Sequence, residues 1–176
     1  MSIISKCEIA KLGENILRKE AKKVKDIKSE KIQSIIKEML DCVRKSNGVG
    51  LAAPQIFHSY QILIISSRPN ERYPNAPFME DEIIINPKII KKSKSKEKGW
   101  EGCLSIPGIR AEVPRHTKIK VKYTTINNEE KTKTFEDFIA RVFQHEYDHL
   151  KGLVYLDRVI DSKDIITEEL YFKKIS

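Results

Sequence analysis

Long apolar runs are missing from this sequence. The longest, such as Ile62-Leu63-Ile64-Ile65, are the size of a strand, and nothing approaches a membrane span. The N-terminus lacks the apolar stretch and small-residue cleavage site of a signal peptide, because Lys6, Glu8 and Lys11 break it up. Cysteine is scarce. Cys7, Cys42 and Cys103 are odd in number and far apart, so no disulfide framework is expected, and a reducing cytoplasm is the default compartment. Internal repeats and long Gly/Ser/Pro linkers are also absent. A chain of 176 residues with 40% apolar and 33% charged residues is therefore expected to be globular, with 1–176 as a single domain.

What is abundant is positive charge. A net charge of +8 favours encounters with polyanions such as nucleic acid, the ribosome surface or anionic membranes, without establishing any of them. The densest run, Lys91 to Lys98, contains no aromatic residue and no helical periodicity. It reads as a solvated loop or a strand edge guarded by lysines, with ribosomal RNA as the functional alternative.

Apolar positions Ile32, Ile35, Ile36, Met39, Cys42 and Val43 recur at helical spacing and predict an amphipathic helix over 30–45, with Cys42 as a small core residue and Cys7 without a companion. A loop over 46–56 follows, then a strand at 61–66. Three prolines, Pro69, Pro74 and Pro77, predict an irregular loop over 68–78. A strand is expected at 82–86, continuing at 88–92 beyond Pro87. The segment 99–113 should be extended, with bends at Gly102 and at Pro107-Gly108. Alternation over 118–126, a turn at Asn127-Asn128 and a return over 131–134 predict a hairpin. Thr134 then reads as an N-cap, with a helix to about Lys151 and Gly152 as its stop. Beyond it a short strand at 153–156 and a further helix are expected. The class is α+β: mostly antiparallel sheets packed around a long helix in the C-terminal half.

Half of the four histidines lie on that helix, in Gln144-His145-Glu146-Tyr147-Asp148-His149-Leu150. His145 and His149 are one turn apart and share a face, so their imidazoles can converge on one metal ion. Glu146, one residue out of line, can reach a water on that ion and act as general base, the arrangement of metal-dependent hydrolases. A catalytic site needs a third protein ligand and an open position. The position six residues after His149 holds Tyr155, not histidine. Glu168 or Glu169 downstream, or the Cys103 thiolate, remain open. Cys103 lies in Trp100-Glu101-Gly102-Cys103-Leu104-Ser105, where an extended backbone leaves the Leu104 N–H able to face a ligand. A third segment, Gly48-Val49-Gly50-Leu51-Ala52-Ala53-Pro54-Gln55, forms a wall nearly free of side chains, ending in an amide that can donate a hydrogen bond.

Taken in order, Gly48–Gln55, Glu101–Ser105 and Gln144–Gly152 resemble the three motifs of the peptide deformylases, and no motif position departs from the pattern. The similarity runs from about Ile9 to Arg158, leaving the tail beyond it and the loop near Arg68–Met79 outside. The resemblance implies that Cys103, His145 and His149 hold one divalent cation, usually Fe²⁺, with Zn²⁺, Ni²⁺ or Co²⁺ as substitutes, and water as the fourth ligand. It implies an N-formyl-methionyl nascent peptide as substrate, with formate released after attack by metal-bound hydroxide. Glu146 would be general base and acid, and Gln55 and the Leu104 N–H would stabilise the oxyanion. Gly48, Val49 and Gly50 would pair with the substrate backbone, and Phe138 and Val142 would line its methionine pocket. Arg115 is expected to pair with Glu101 and hold the cysteine segment, and Asp148 is either support for the site or a solvated helix residue. Two other readings stand beside this one. One is a metalloprotease with Glu168 or Glu169 as third ligand. The other is an RNA-binding module whose structural metal takes a fourth ligand from His58 or His116.

Overall fold

The unbroken apolar run Ile62–Ile65 forms strand β2, and all of it is buried. Helices cover both of its faces. Helix α1 (Glu30–Lys45) packs Ile32, Ile35, Ile36, Met39 and Val43 into one core with Leu51, Ile62 and Ile64. Helix α2 (Asp137–Leu150) packs Ala140, Val142, Phe143 and Leu150 into a second core with Ala52, Leu63 and Ile65. Strand side chains alternate between faces, so a strand covered on both has no place for a polar residue. Each such side chain stabilises the fold by roughly 1.5–3 kcal/mol.

This architecture is that of a computed structural model, which describes residues 7–175. The expectation of no signal peptide rests partly on residues 1–6, which lie outside the described residues. Five strands form the first sheet in the order β1 (Gly50–Ala52), β2, β3 (Glu82–Lys92), β6 (Lys118–Thr124), β7 (Glu130–Glu136). The second has β4 (Lys96–Cys103), β5 (Ile106–His116) and β8 (Ile165–Thr167). Every pairing is antiparallel. A third helix, α3 (Glu168–Ile175), closes the described chain. Helix α2 touches β1, β2 and β7 of the first sheet and β5 of the second, so it can join groups from both. The α+β class therefore holds. With 14 residues α2 is shorter than α1, which has 16, so it is not the long helix the sequence suggested. Among the described residues no helix is long and apolar enough to cross a membrane.

Several local expectations need correction. Thr134 does not cap α2: pairing with Lys120 keeps it in β7, and the helix begins three residues later, after Glu136. The loop expected over 46–56 contains β1, whose short edge is paired with β2 in the register Gly50 to Ile65, and a 3-10 turn over Ala53–Ile56. The bends expected at Gly102 and at Pro107-Gly108 fall where the β4–β5 register shifts, between Glu101–Ala111 and Cys103–Ile106, and the chain reverses between them at Leu104-Ser105. The strand expected at 153–156 is instead the approach to a 3-10 turn, Tyr155–Arg158. Cys7 does have a companion. The fold brings its sulfur against that of Cys42, with Cα atoms 5.4 Å apart, a meeting across 35 residues that linear separation gave no means of seeing. Cys103 stays free. The Lys91–Lys98 run is the exposed end of β3, where Lys91 and Lys92 pair with β6, then a turn and the start of β4. Gly152 ends α2 with φ +71°, and Arg18 backbone atoms lie so close that a Cβ there would meet them at 2.8 Å.

Candidate metal centre and cleft

The one-turn spacing of His145 and His149 puts both imidazoles on the face of α2 that meets the β4–β5 turn, and the turn delivers Cys103 to them. The Cys103, His145 and His149 donor atoms all lie within 4.8 Å of one another, and all three residues are buried. Cys103 Sγ is 3.4 Å from His149 Nε2. Ligands at 2.0–2.3 Å around a tetrahedral ion sit roughly 3.3–3.8 Å apart, a spacing the Cys103–His149 pair already has, with the remaining donor pairs within 4.8 Å. A soft thiolate with two imidazoles suits iron, zinc, nickel or cobalt rather than magnesium or calcium.

Surrounding groups orient these donors. His145 Nδ1 lies 2.9 Å from Glu101 Oε2, which leaves its Nε2 for an ion. Arg115 donates to both Glu101 oxygens, from Nε at 2.8 Å and Nη2 at 2.9 Å, as the sequence suggested. Its Nη1 donates to Asp148 at 2.6 Å, and Asp148 also accepts from Arg158, so Asp148 is part of the support. Tyr155, where a third histidine would have fallen, stacks on the His145 ring instead. Burial alone would raise the Cys103 thiol, but the imidazoles of His149 and His145 outweigh it and hold the thiol well below its ordinary value. Burial would lower His145, and Cys103 and Glu101 reverse that. The shift is toward the thiolate, which is the form that binds metals.

Glu146 stands apart. Burial pushes its carboxyl up to about 7, against the lowering effect of the two imidazoles. Its Oε2 has no hydrogen-bond partner among the described residues, and neither does His149 Nδ1. A buried carboxylate oxygen left unpaired is unfavourable unless something else uses it. Gly50 lies directly over this group: a Cβ there would be 2.6 Å from Glu146 Oε1.

These groups open into a cleft. Gly48, Val49, Gly50, Gln55, Cys103, Leu104, Phe138, Val142, His145 and Glu146 all line it, so every site residue suggested by the sequence except His149 borders the cleft, and His149 closes the ligand set behind it. Gln55 is held by its Oε1, which accepts from the Ala52 N–H at 2.9 Å, and its Nε2 points at Cys103 Sγ, 3.4 Å away. The Leu104 carbonyl accepts from Lys11. Four lining residues were not anticipated: Arg72, Tyr73, Trp100 and Arg141. Tyr73 packs edge-on against Phe138 and donates to the Gly102 carbonyl. It belongs to the proline-rich loop, where no periodicity or motif marks a residue as facing a site.

The competing ligands lie elsewhere. Glu168 accepts from Arg110 at 3.1 Å, and Glu169 pairs with Lys173. His58 meets Glu38, and His116 Nδ1 meets the Ser93 carbonyl. Among the described residues no fourth His, Cys, Asp or Glu joins the three, so the donor set is that of an open site rather than a closed structural one.

Known proteins resemble this chain over most of its length. Residues 6–164 match the family model described as polypeptide deformylase. Peptide deformylase 2 of Nostoc sp. is 49% identical over 163 residues, which are 93% of this chain and 91% of that one. Peptide deformylase 2 of Shewanella oneidensis is 42% identical over 150 residues, 85% of this chain and 82% of that one. The Met-Ala-Ser-bound crystal structure of class I type b peptide deformylase from Acinetobacter baumannii matches with a TM-score of 0.83 and 40% identity, covering 86% of this chain and 96% of that one. With a family model spanning most of its length and relatives of this identity over nearly all of it, the chain belongs to the peptide deformylases, a family of metal-dependent enzymes.

Proposed function

We propose that this enzyme removes the formyl group from the N-formyl-methionyl end of newly made polypeptides and releases formate. The observation that carries the reading is the unpaired, buried carboxylate oxygen of Glu146 beside a thiol and two imidazoles at the head of a cleft. Cys103, His145 and His149 would hold the cation, with Fe²⁺ as the ion in the cell. When bound, it supplies Lewis acidity, lowering the pKa of a water and polarising the formyl oxygen.

The chain's own residues do the rest. Glu146 takes the proton of the water that adds to the formyl carbon and delivers it to the amide nitrogen as the C–N bond breaks, leaving formate and a free amine. A carboxyl raised to about 7 is suited to both transfers near neutral pH. The Gln55 amide and the Leu104 N–H donate to the formyl oxygen as negative charge develops there, each worth about 3–4 kcal/mol in the transition state. The Gly48–Val49–Gly50 edge pairs with the substrate backbone as an added strand. Phe138 and Val142, neighbours on α2 and part of the cleft wall, receive the methionine side chain. The Acinetobacter baumannii relative is described with Met-Ala-Ser bound, the tripeptide that formyl-Met-Ala-Ser would leave, and this supports the substrate class. The same reading places the enzyme in the cytoplasm, where nascent chains begin, with its lysine-rich β3–β4 end available to the ribosome surface.

The test is formate release from formyl-Met-Ala-Ser by anaerobically prepared protein, with Glu146→Ala beside it. Wild type should release formate and the variant should lose at least about 10²-fold in rate. No release by metal-replete wild type would refute the proposal.

A further inference from the structure

Arg141 sits on α2 one turn before His145 and is only 14% exposed. Its Nη1 donates to the Val113 carbonyl at 2.7 Å, to the Gly99 carbonyl at 3.2 Å and to Glu101 Oε1 at 3.1 Å. Its Nη2 donates to the Glu97 carbonyl at 2.7 Å. The guanidinium is therefore fastened to strands β4 and β5 and to the carboxylate that orients His145. It also fills the space a side chain at Gly99 would need, since a Cβ there would lie 2.8 Å from Arg141 Cζ.

The hydrogen bonds of Glu101 show what this adds. Oε1 accepts from Arg115 Nε and Arg141 Nη1, and Oε2 accepts from Arg115 Nη2 and pairs with His145 Nδ1. Four partners match the lone-pair sites of a carboxylate, about four in number. Arg115 belongs to β5 and Glu101 to β4, so their pair links strand to strand, and Arg115 also donates to Asp148 of α2. Arg141 alone brings a cation from the helix that carries His145. It ties the position of Glu101 to that of α2, and a planar fork with several donors does this where an ammonium makes only point contacts.

We propose that Arg141 is a positioning residue for the metal centre, fixing Glu101 and through it the rotamer and tautomer of His145. The inference rests on the reading of Cys103, His145 and His149 as metal ligands. The bland alternative is a strap that only holds α2 to the second sheet, and the two differ in what they do to a bound ion.

The experiment uses Co²⁺ loaded anaerobically into wild type, Arg141→Met, Arg141→Lys and Gly99→Ala. Release to an excess of chelator is followed by loss of the thiolate-to-cobalt absorption, and thermal unfolding of each metal-free protein is recorded separately. Gly99→Ala displaces the guanidinium while leaving every charge in place, so it carries the test if Arg141→Met does not fold. The expected result is release about 10-fold faster in Arg141→Met and Gly99→Ala, the lower end of what losing an outer partner of a metal ligand produces, with Arg141→Lys in between. Release within about two-fold of wild type in Gly99→Ala and in any folded Arg141 variant overturns the proposal, even if unfolding temperatures fall, and leaves Arg141 a strap. A wild type that takes up no Co²⁺ overturns the metal reading itself, and that failure is visible without any variant.

Discussion

Adding one methyl group at Gly50 should disable the base without touching the metal ligands. An alanine Cβ there would lie 2.6 Å from Glu146 Oε1, 2.9 Å from Glu146 Cγ and 2.9 Å from Val142 Cγ1. Carbon atoms in good contact are about 3.5–4.0 Å apart, so the neighbours must yield by roughly 0.6 Å or more. Val142 is buried on α2 and β1 is pinned to β2, so the Glu146 side chain takes much of the movement. A misplacement of about 1 Å in a reacting group lowers a rate about 100-fold. For the smaller shift, kcat for formate release from formyl-Met-Ala-Ser should fall about 10- to 100-fold, equivalent to roughly 1.4–2.7 kcal/mol in the barrier. None of the three atoms crowded by the methyl belongs to Cys103, His145 or His149, so metal content, read by elemental analysis, should match wild type. Gly48→Ala is the graded comparison. Its Cβ would meet neighbours at 3.3–3.4 Å, so its effect should be milder. A folded, fully metal-loaded Gly50→Ala enzyme with kcat within about two-fold of wild type would refute the reasoning, because the base would then be either unconstrained by Gly50 or not needed.

Cys103→Ala should lose its metal while Glu146→Ala keeps it; equal metal content in the two would remove Cys103 from the ligand set. Glu101→Gln should destabilise the fold by about 1.5–3 kcal/mol in urea unfolding, because the buried Arg115 guanidinium loses its two-pronged charged partner and keeps only Asp148. A loss below about 1 kcal/mol would mean that Arg115 finds other partners. Asp81 gives a pH prediction. Burial would raise its carboxyl, but the Ser66 hydroxyl and the Arg44 and Arg68 guanidinium groups prevail and hold it below its ordinary value. A depressed carboxylate contributes stability that is complete above the unfolded value of about 4 and is lost as pH falls through the folded value. Urea midpoints should therefore fall less steeply with acid in Asp81→Asn than in wild type, and parallel pH curves would contradict the assignment.

The histidine pair, its neighbouring glutamate and the glycine edge were legible in the linear chain because each announces itself locally, while Cys103 was singled out from Glu168 and Glu169 only by the resemblance of three segments taken together. His145 and His149 share a face by helical geometry alone, and Gly48 and Gly50 stand out by what they lack. The α1 core face and the β6–β7 hairpin were readable for the same reason, since side-chain periodicity is set by the backbone within a few residues. Other features had no local signal. Tyr73 and Arg72 reach the cleft from a proline-rich loop whose path depends on what it packs against. Cys7 meets Cys42 only because the N-terminal segment runs beside α1.

The sequence by itself determined which donor groups this protein can offer from one helix face, because residue types and their spacing along a helix are properties of neighbouring residues. Only the tertiary structure decided that the Cys103 sulfur would reach the imidazoles, that Arg141 would join Arg115 on Glu101, and that one Glu146 oxygen would lack a hydrogen-bond partner among the described residues. Those outcomes depend on how α2 sits against both sheets, a matter of long-range packing in which no single segment holds the information.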